Sequence, residues 1–305
     1  IKFAPMLRKI TLLIVLVSSL SAQDSVYLIL DEPCDSLPVH FRKSNGQFIR
    51  KTDVMPDTFG LALLNASGSS EFCRDNIGLI RANINHNFIT IVDLRQESHG
   101  FVNGLPVSWY GRYDWANVGK NREEVEFLED HLLDSLMKAG TIVITKIISK
   151  DKISGLPDKT QQLTLKVENV QTEKWLTVDY RLNYFRITVT DHRPPLIEDV
   201  DRFIEFVVSL DPRSWIHFHC HAGDGRTTTF MAMYDMMRNA KKVSFDDIIL
   251  RQYLLGGINL GDDDDFPEFD KQYAIERTEF LRRFFDYCRS NNDNFKTLYS
   301  FWLRR

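Results

Sequence analysis

The sequence predicts an α/β fold, a mixed sheet flanked by helices and interrupted by a small β insert. Three observations predict it. Residues 88–95 form a β-branched apolar run that ends in polar residues, as a buried strand does. Residues 121–140 read as a capped amphipathic helix, and residues 215–240 read as strand, glycine-containing loop and helix.

Taken in chain order, residues 26–30 are strand-like and are followed by turn residues. After the strand at 88–95, Asn121 is placed to cap a helix with Glu123 and Glu124 in its first turn and Gly140 as its stop. Its apolar face is Val125, Phe127, Leu128, Leu132, Leu133 and Leu136. Gly119-Lys120 before it is not a nucleotide-type phosphate loop, because no glycine stands at the needed distance upstream.

From 141 to 189 the texture changes. Strand-like runs at 142–148, 163–170, 175–180 and 184–189 alternate with turns such as Gly155-Leu156-Pro157-Asp158. Residues 141–180 are therefore expected to form a small antiparallel β insert between two parts of one domain, 23–140 and 181–305. A loop at 191–195 leads to a helix at 197–210 with Val200, Phe203, Ile204, Val207 and Val208 inward. The helix at 227–240 carries Phe230, Met231, Met233, Tyr234 and Met237, a core stripe. The run Asp262–Asp265 reads as a solvated loop with weak capacity for a cation, and helices at 273–287 and 295–302 close the fold.

The chain has 305 residues, 43% of them hydrophobic, enough for one domain with a modest insert. A net charge of −4 excludes an overall basic field of the kind that gathers nucleic acid, so an anionic partner must be recognised by a local cluster of cations. Met6-Leu7-Arg8-Lys9, an apolar run at 10–17 and Ser19-Leu20-Ser21-Ala22 form the three parts of a secretory signal peptide, expected at 6–22, with a run too short to span a bilayer. The mature chain is thus expected to be secreted or periplasmic and free of membrane. Of its four cysteines, Cys34 and Cys73 are the couple an exported chain would pair, although spacing leaves the pairing open, and Cys288 reads as a core residue.

Cys220 has to stay free, because residues 219–227 carry the chemistry. Cys220 and Arg226 stand at the two ends of a loop, with His221, Ala222, Gly223, Asp224 and Gly225 between them. Gly223 and Gly225 let the backbone turn its N–H groups inward toward an anion, and the helix that follows adds its N-terminal positive charge. A cysteine in such a setting falls from a pKa of about 8.5 to roughly 3.5–7.5. Arg226 offers a planar fork for two phosphate oxygens, and Thr227 a hydroxyl for the thiolate when phosphocysteine breaks down. His219 is expected to order the loop through hydrogen bonds. The departing alkoxide needs a proton, and Asp191, on a loop stiffened by Pro194 and Pro195, is placed to give it.

These residues resemble the protein-tyrosine-phosphatase superfamily and, more closely, its bacterial phytase branch. The resemblance rests on residues 93–100, Asn103-Gly104, Trp115-Ala116-Asn117 with Gly119-Lys120, Thr190-Asp191-His192 and residues 219–228. It implies a protein-tyrosine-phosphatase-like sheet with a small partial β-barrel. It also implies phosphate-monoester hydrolysis of myo-inositol polyphosphates without metal or cofactor, with Cys220 as nucleophile, Arg226 as clamp and Asp191 as acid. Glu97, Asp114, His192 and Lys271 match positions that line the substrate pocket, and Arg42 matches an N-terminal arginine facing substrate, with a surface arginine as the other reading. Asp224 departs from the pattern, because a carboxylate inside the cradle weakens polyanion binding unless it points outward or pairs with a cation such as Lys271. The alternative reading is a protein-tyrosine or phosphoinositide phosphatase that uses the same site.

Overall fold

The computed structural model of the chain describes residues 26–31, 34, 36–151, 153–261 and 268–305. The expected signal peptide at 6–22 and the acidic run Asp262–Asp265 lie outside the described residues.

The first half of the chain contributes β1 (Tyr27–Leu30), β2 (Arg42–Lys43), β3 (Ala66–Ser69), helix α1 (Asn76–Ile84), β4 (Ile89–Arg95), β5 (His99–Val102), β6 (Leu105–Tyr110) and α2 (Arg122–Ala139). Next come β7 (Thr141–Lys150), β8 (Pro157–Lys166), β9 (Val170–Gln171), α3 (Glu173–Asp179) and β10 (Asn183–Val189). The chain then runs through α4 (Ile197–Ser209), β11 (Trp215–His219), α5 (Gly225–Asn239), α6 (Phe245–Leu254), α7 (Glu268–Ser290) and α8 (Tyr299–Trp302).

Five strands form one sheet in the order β10-β4-β11-β3-β2. β10, β4, β11 and β3 run parallel, and only β2 is antiparallel. Parallel strands are covered on both faces, which is why β4 and β11 are buried along their whole length. The core packs α4, α5 and α7 against the sheet, and Phe230, Met231 and Met233 of the expected stripe are all inside it.

The α2 signals stand as read. Asn121 and Glu124 form a reciprocal capping box, and Gly140 ends the helix in the left-handed conformation at φ 67°. Phe127 is a correction, because it is 67% exposed and packs edge-on against His131. Two residues advance a helix by about 200°, so Phe127 points away from the row Val125, Glu129, Leu133, Leu136 that is buried. Val208 of α4 is likewise exposed.

The insert differs from expectation in two ways. Residues 175–180 are not a strand, since most of them belong to α3, where Thr172 accepts a hydrogen bond from the Trp175 amide. The cap and the burial of Leu176 and Thr177 prevail over the β propensity of Trp175, Thr177 and Val178. Nor does 141–180 make a sheet alone. The β7–β8 hairpin extends a second sheet in the order β8-β7-β1-β6-β5-β9, which draws in strands that precede residue 141. β8 and β9 lie at its ends, and no pairing between them closes a barrel among the described residues. Among these residues no helix is long and apolar enough to cross a membrane.

Candidate active site

β11 ends at His219 and α5 begins at Gly225, so the loop between them sits at the carboxyl end of a parallel sheet, where α/β folds place their ligands. The structure shows how the loop turns its amides inward. The His221 carbonyl accepts from the Glu71 amide at 3.0 Å, and that of Ala222 lies 3.0 Å from His40 Nδ1. The Gly223 carbonyl accepts from Arg42 Nη1 at 2.9 Å, and that of Asp224 from the Thr228 amide at 2.8 Å. In a trans peptide the N–H points opposite to the C=O, so four carbonyls tied outside direct the next four amides toward the cradle. Gly223 is required twice over. Its φ is 78°, and a Cβ there would stand 2.3 Å from the Ser70 nitrogen. Gly225 is not under that constraint; a Cβ there would meet Arg277 at ordinary contact distance.

Cys220 is buried at the base of the loop, and Thr227 Oγ1 donates to its Sγ at 3.1 Å. Arg226 is held from two sides. Glu97 accepts from Nη1 at 2.7 Å and Nη2 at 3.0 Å, while Asp191 Oδ1 stands 3.0 Å from Nε. The Asp191 contact is an ion pair without hydrogen-bond alignment, so Asp191 is the looser of the two partners. Burial alone would raise the Asp191 carboxyl, but the charges of Arg226 and His192 outweigh it and hold it below its ordinary value.

The other expected site residues fall into two groups. His192, at φ 66°, places Nδ1 3.0 Å from Asp270 Oδ2 on α7 and Nε2 3.5 Å from Asp191. Burial would lower this imidazole, and the two carboxylates raise it above its usual value. Lys271 follows Asp270 and so shares the turn of α7 that meets the acid loop.

Glu97 and Arg42 are both buried. Both oxygens of Glu97 are taken by guanidinium groups, with Arg95 Nε at 2.8 Å completing the set. The surface reading of Arg42 is corrected. Its donors lie on the carbonyls of Gly223 and His40 and on Thr228 Oγ1, and burial brings its pKa down to about 10. Asp114 is also buried, and its Oδ2 contacts His221 Nδ1 at 2.7 Å. Burial would lower His221, yet Asp114 and Asp31 outweigh it and raise the imidazole above its usual value. Asp224 points outward, with Oδ1 3.0 Å from His40 Nδ1, and it is His40, Arg42 and Arg50 that face it.

Beneath the loop His219 is fully buried between Glu173, at 2.8 Å, and Glu71, at 3.8 Å. Those carboxylates outweigh the burial and raise its pKa, in keeping with a loop-ordering role. His217, two residues back on the same face of β11, is instead pushed down to about 3 by burial and by the charges of His219 and Arg42, and hydrogen-bonds Ser67 and Ser69. Glu71, Arg95, Asp31 and Glu173 were missed by sequence reasoning. Arg95 joins Asp31, Glu71 and Glu97 in one buried cluster. A usable signal was present, because the charged or titratable residues Asp93, Arg95, Glu97 and His99 recur at every second position and so share one face of an extended chain.

Three groups of acids and histidines lie close enough to grip a cation: Glu71 with Glu173 and His219, Asp93 with His99 and Glu173, and Glu97 with Asp114 and His221. In all three the neighbouring carboxylates raise the histidine pKa against the effect of burial.

A cysteine under a hydroxyl, an arginine fixed at the far end of an amide-lined loop and an acid poised above it define the site of a cysteine-dependent phosphatase. The family model for protein-tyrosine-phosphatase-like phytase, inositol hexakisphosphate, matches residues 92–238. A protein-tyrosine-phosphatase-like phytase from Bdellovibrio bacteriovorus superposes with a TM-score of 0.72 at 33% identity, over 92% of this chain and 95% of that one. The protein-tyrosine-phosphatase-like myo-inositol phosphatase from Mitsuokella multacida, solved with myo-inositol-(1,3,4,5)-tetrakisphosphate, superposes at 0.85 with 36% identity, over 92% of this chain and 47% of that one. An effector protein of Pseudomonas syringae pv. tomato, hopD2, is 28% identical over 286 residues, 92% of this chain and 60% of its own. The chain therefore spans only part of the length of the effector and of the Mitsuokella protein. It belongs to the protein-tyrosine-phosphatase-like phytase family.

Proposed function

We propose that the chain hydrolyses phosphate monoesters of myo-inositol polyphosphates, phytate among them, through a phosphocysteine intermediate. The observation that carries this reading is the placement of Cys220 Sγ under Thr227 while Glu97 and Asp191 hold Arg226 at the same loop. The Cys220 thiolate attacks phosphorus, Arg226 follows two phosphate oxygens into the transition state, and the bond to the inositol oxygen breaks. Asp191 gives its proton to that oxygen. It then takes a proton from water, whose oxygen attacks phosphorus as the P–S bond breaks and Thr227 receives the sulfur.

Asp191 is held ionised by Arg226 in the free site, and the substrate itself corrects this. A phosphate on Arg226 displaces Asp191 and places new negative charge beside it, so the carboxyl rises toward the protonated state an acid requires. A mildly acidic optimum follows. The substrate class is supported by the family match and by the tetrakisphosphate bound to the Mitsuokella relative. Export is supported by the basic, apolar and small-residue segments at 6–22.

The test is turnover of myo-inositol hexakisphosphate against that of a phosphotyrosine peptide, with Cys220→Ser as control. The proposal expects release of phosphate from the inositol substrate and none from the variant, which still binds the anion. Preference for the peptide would overturn the substrate class; turnover by the variant would overturn the phosphocysteine route.

A further inference from the structure

Arg193 closes the turn that carries the acid, its amide donating to the Thr190 carbonyl at 3.3 Å. Its guanidinium carbon lies 4.8 Å from the Trp115 ring centre and 5.2 Å from that of Tyr273. Two aromatic faces hold the guanidinium without neutralising it. Three other guanidinium groups packed around the site are paired with carboxylates. Arg226 is paired with Glu97, Arg95 with three carboxylates and Arg186 with Asp93 and Glu129. Among the described residues no carboxylate pairs with Arg193, and its buried Nε has no acceptor. A buried donor without a partner carries a cost that a bound anion removes.

Arg193 lines a cleft of about 650 Å³ together with Gln96, Lys120, Thr190 and Arg202. That volume falls within the range of small-molecule sites, about 300–1,000 Å³. Lys120 donates to the Ala116 carbonyl at 3.0 Å, and it too meets no carboxylate among the described residues. Three acids also border the cleft. Glu123 is engaged by Arg122, and burial pushes Asp199 up to about 7, which leaves Glu198 as the one exposed acid without such a constraint. Neither Cys220 nor Arg226 lines this cleft, so a phosphate seated there is not the one that reacts.

We propose that Arg193, with Lys120 across the cleft, forms a second phosphate subsite that selects polyphosphorylated substrates over monophosphates. This rests on the inositol-polyphosphate reading above and assigns a specificity-determining residue to it. The subsite contacts a phosphate that does not change during the reaction, so it contributes equally to ground and transition states and acts on KM.

The experiment compares Arg193→Gln and Lys120→Gln with the parent chain on myo-inositol hexakisphosphate and on p-nitrophenyl phosphate, which has a single phosphate. For Arg193→Gln, KM for the hexakisphosphate should rise about tenfold or more with kcat within about twofold, and kcat/KM for the monophosphate should hold within about twofold. Lys120→Gln should act in the same direction and less strongly. Equal losses on both substrates, or no loss on the hexakisphosphate, would overturn the subsite. Calorimetric titration of hexakisphosphate into Cys220→Ser, with and without Arg193→Gln, separates the two proposals. If the parent turns over no inositol phosphate, the proposed substrate fails. The titration still decides the subsite, since weaker binding supports it and unchanged binding removes it.

Discussion

Glu97 meets Arg226 fork to fork, Nη1 to Oε2 at 2.7 Å and Nη2 to Oε1 at 3.0 Å, with Arg95 Nε on the same Oε1 at 2.8 Å. Burial would raise Glu97, and the two arginines outweigh it and drive its carboxyl far below its ordinary value. Arg226, the proposed phosphate clamp, is thereby oriented before substrate arrives. Glu97→Gln keeps the shape and removes the charge. It is expected to lower kcat/KM by at least about tenfold and to cost on the order of 3–5 kcal/mol of stability, since it breaks a buried ion pair from one side. Steady-state kinetics and denaturant unfolding read the two effects; a variant matching the parent in both would remove Glu97 from this role.

Asp191 has a different signature. Asp191→Asn should reduce turnover of an inositol phosphate by about 10²–10⁴, the range of general acid catalysis. The first step on p-nitrophenyl phosphate, whose leaving group needs no proton, should change little. Rapid-quench bursts on the two substrates show the contrast, and equal losses in both would argue against proton donation.

Thr227 touches the sulfur itself, at 3.1 Å. Thr227→Val removes the hydroxyl at nearly constant volume. Breakdown of phosphocysteine should slow more than its formation, so the phosphoenzyme accumulates and can be counted after acid quench. No increase in trapped phosphoenzyme would locate the hydroxyl's effect elsewhere.

Gly223→Ala tests the cradle without touching a charge. The new Cβ would lie 2.3 Å from the Ser70 nitrogen at a φ of 78°, a clash with backbone on top of strain of about 1–3 kcal/mol. Activity and phosphate binding should both be lost while the thermal transition stays cooperative. Gly225→Ala, where the nearest atom is 3.5 Å away, should retain far more of both.

Asp199 gives the clearest dependence of stability on pH. Burial pushes it up to about 7 from the ordinary 3.8. An acid raised on folding contributes stability that is complete below pH 3.8 and is lost as pH climbs through 7. Asp199→Asn does not titrate, so its stability should fall less between pH 4 and pH 8, and it should gain a few kcal/mol on the parent by pH 8. Parallel unfolding curves for both proteins across that range would contradict the assignment.

The catalytic loop was legible because its meaning is local. Cys220, Gly223, Arg226 and Thr227 lie within eight residues, and strand, turn and helix around them follow from side-chain pattern and backbone freedom. The Asn121 cap of α2 and the core stripe of α5 are equally short-range and were read correctly. Residues 175–180 were misread because a helix of seven residues leaves too short a pattern to outweigh β-branched and aromatic side chains.

The roles of Glu97, Arg42 and His40 belong to a different scale. Glu97 is 129 positions from Arg226, and Arg42 is 181 from Gly223. Nothing in residue type says that one would hold a guanidinium from behind and the other tie down a carbonyl. The sequence by itself determined the chemistry, because a nucleophile, a fork and a cradle can be written in consecutive residues. Which charges are spent on each other, and which face a ligand, was decided only by the tertiary structure. Burial and Coulomb energy depend on distance in space, and the fold alone sets those distances.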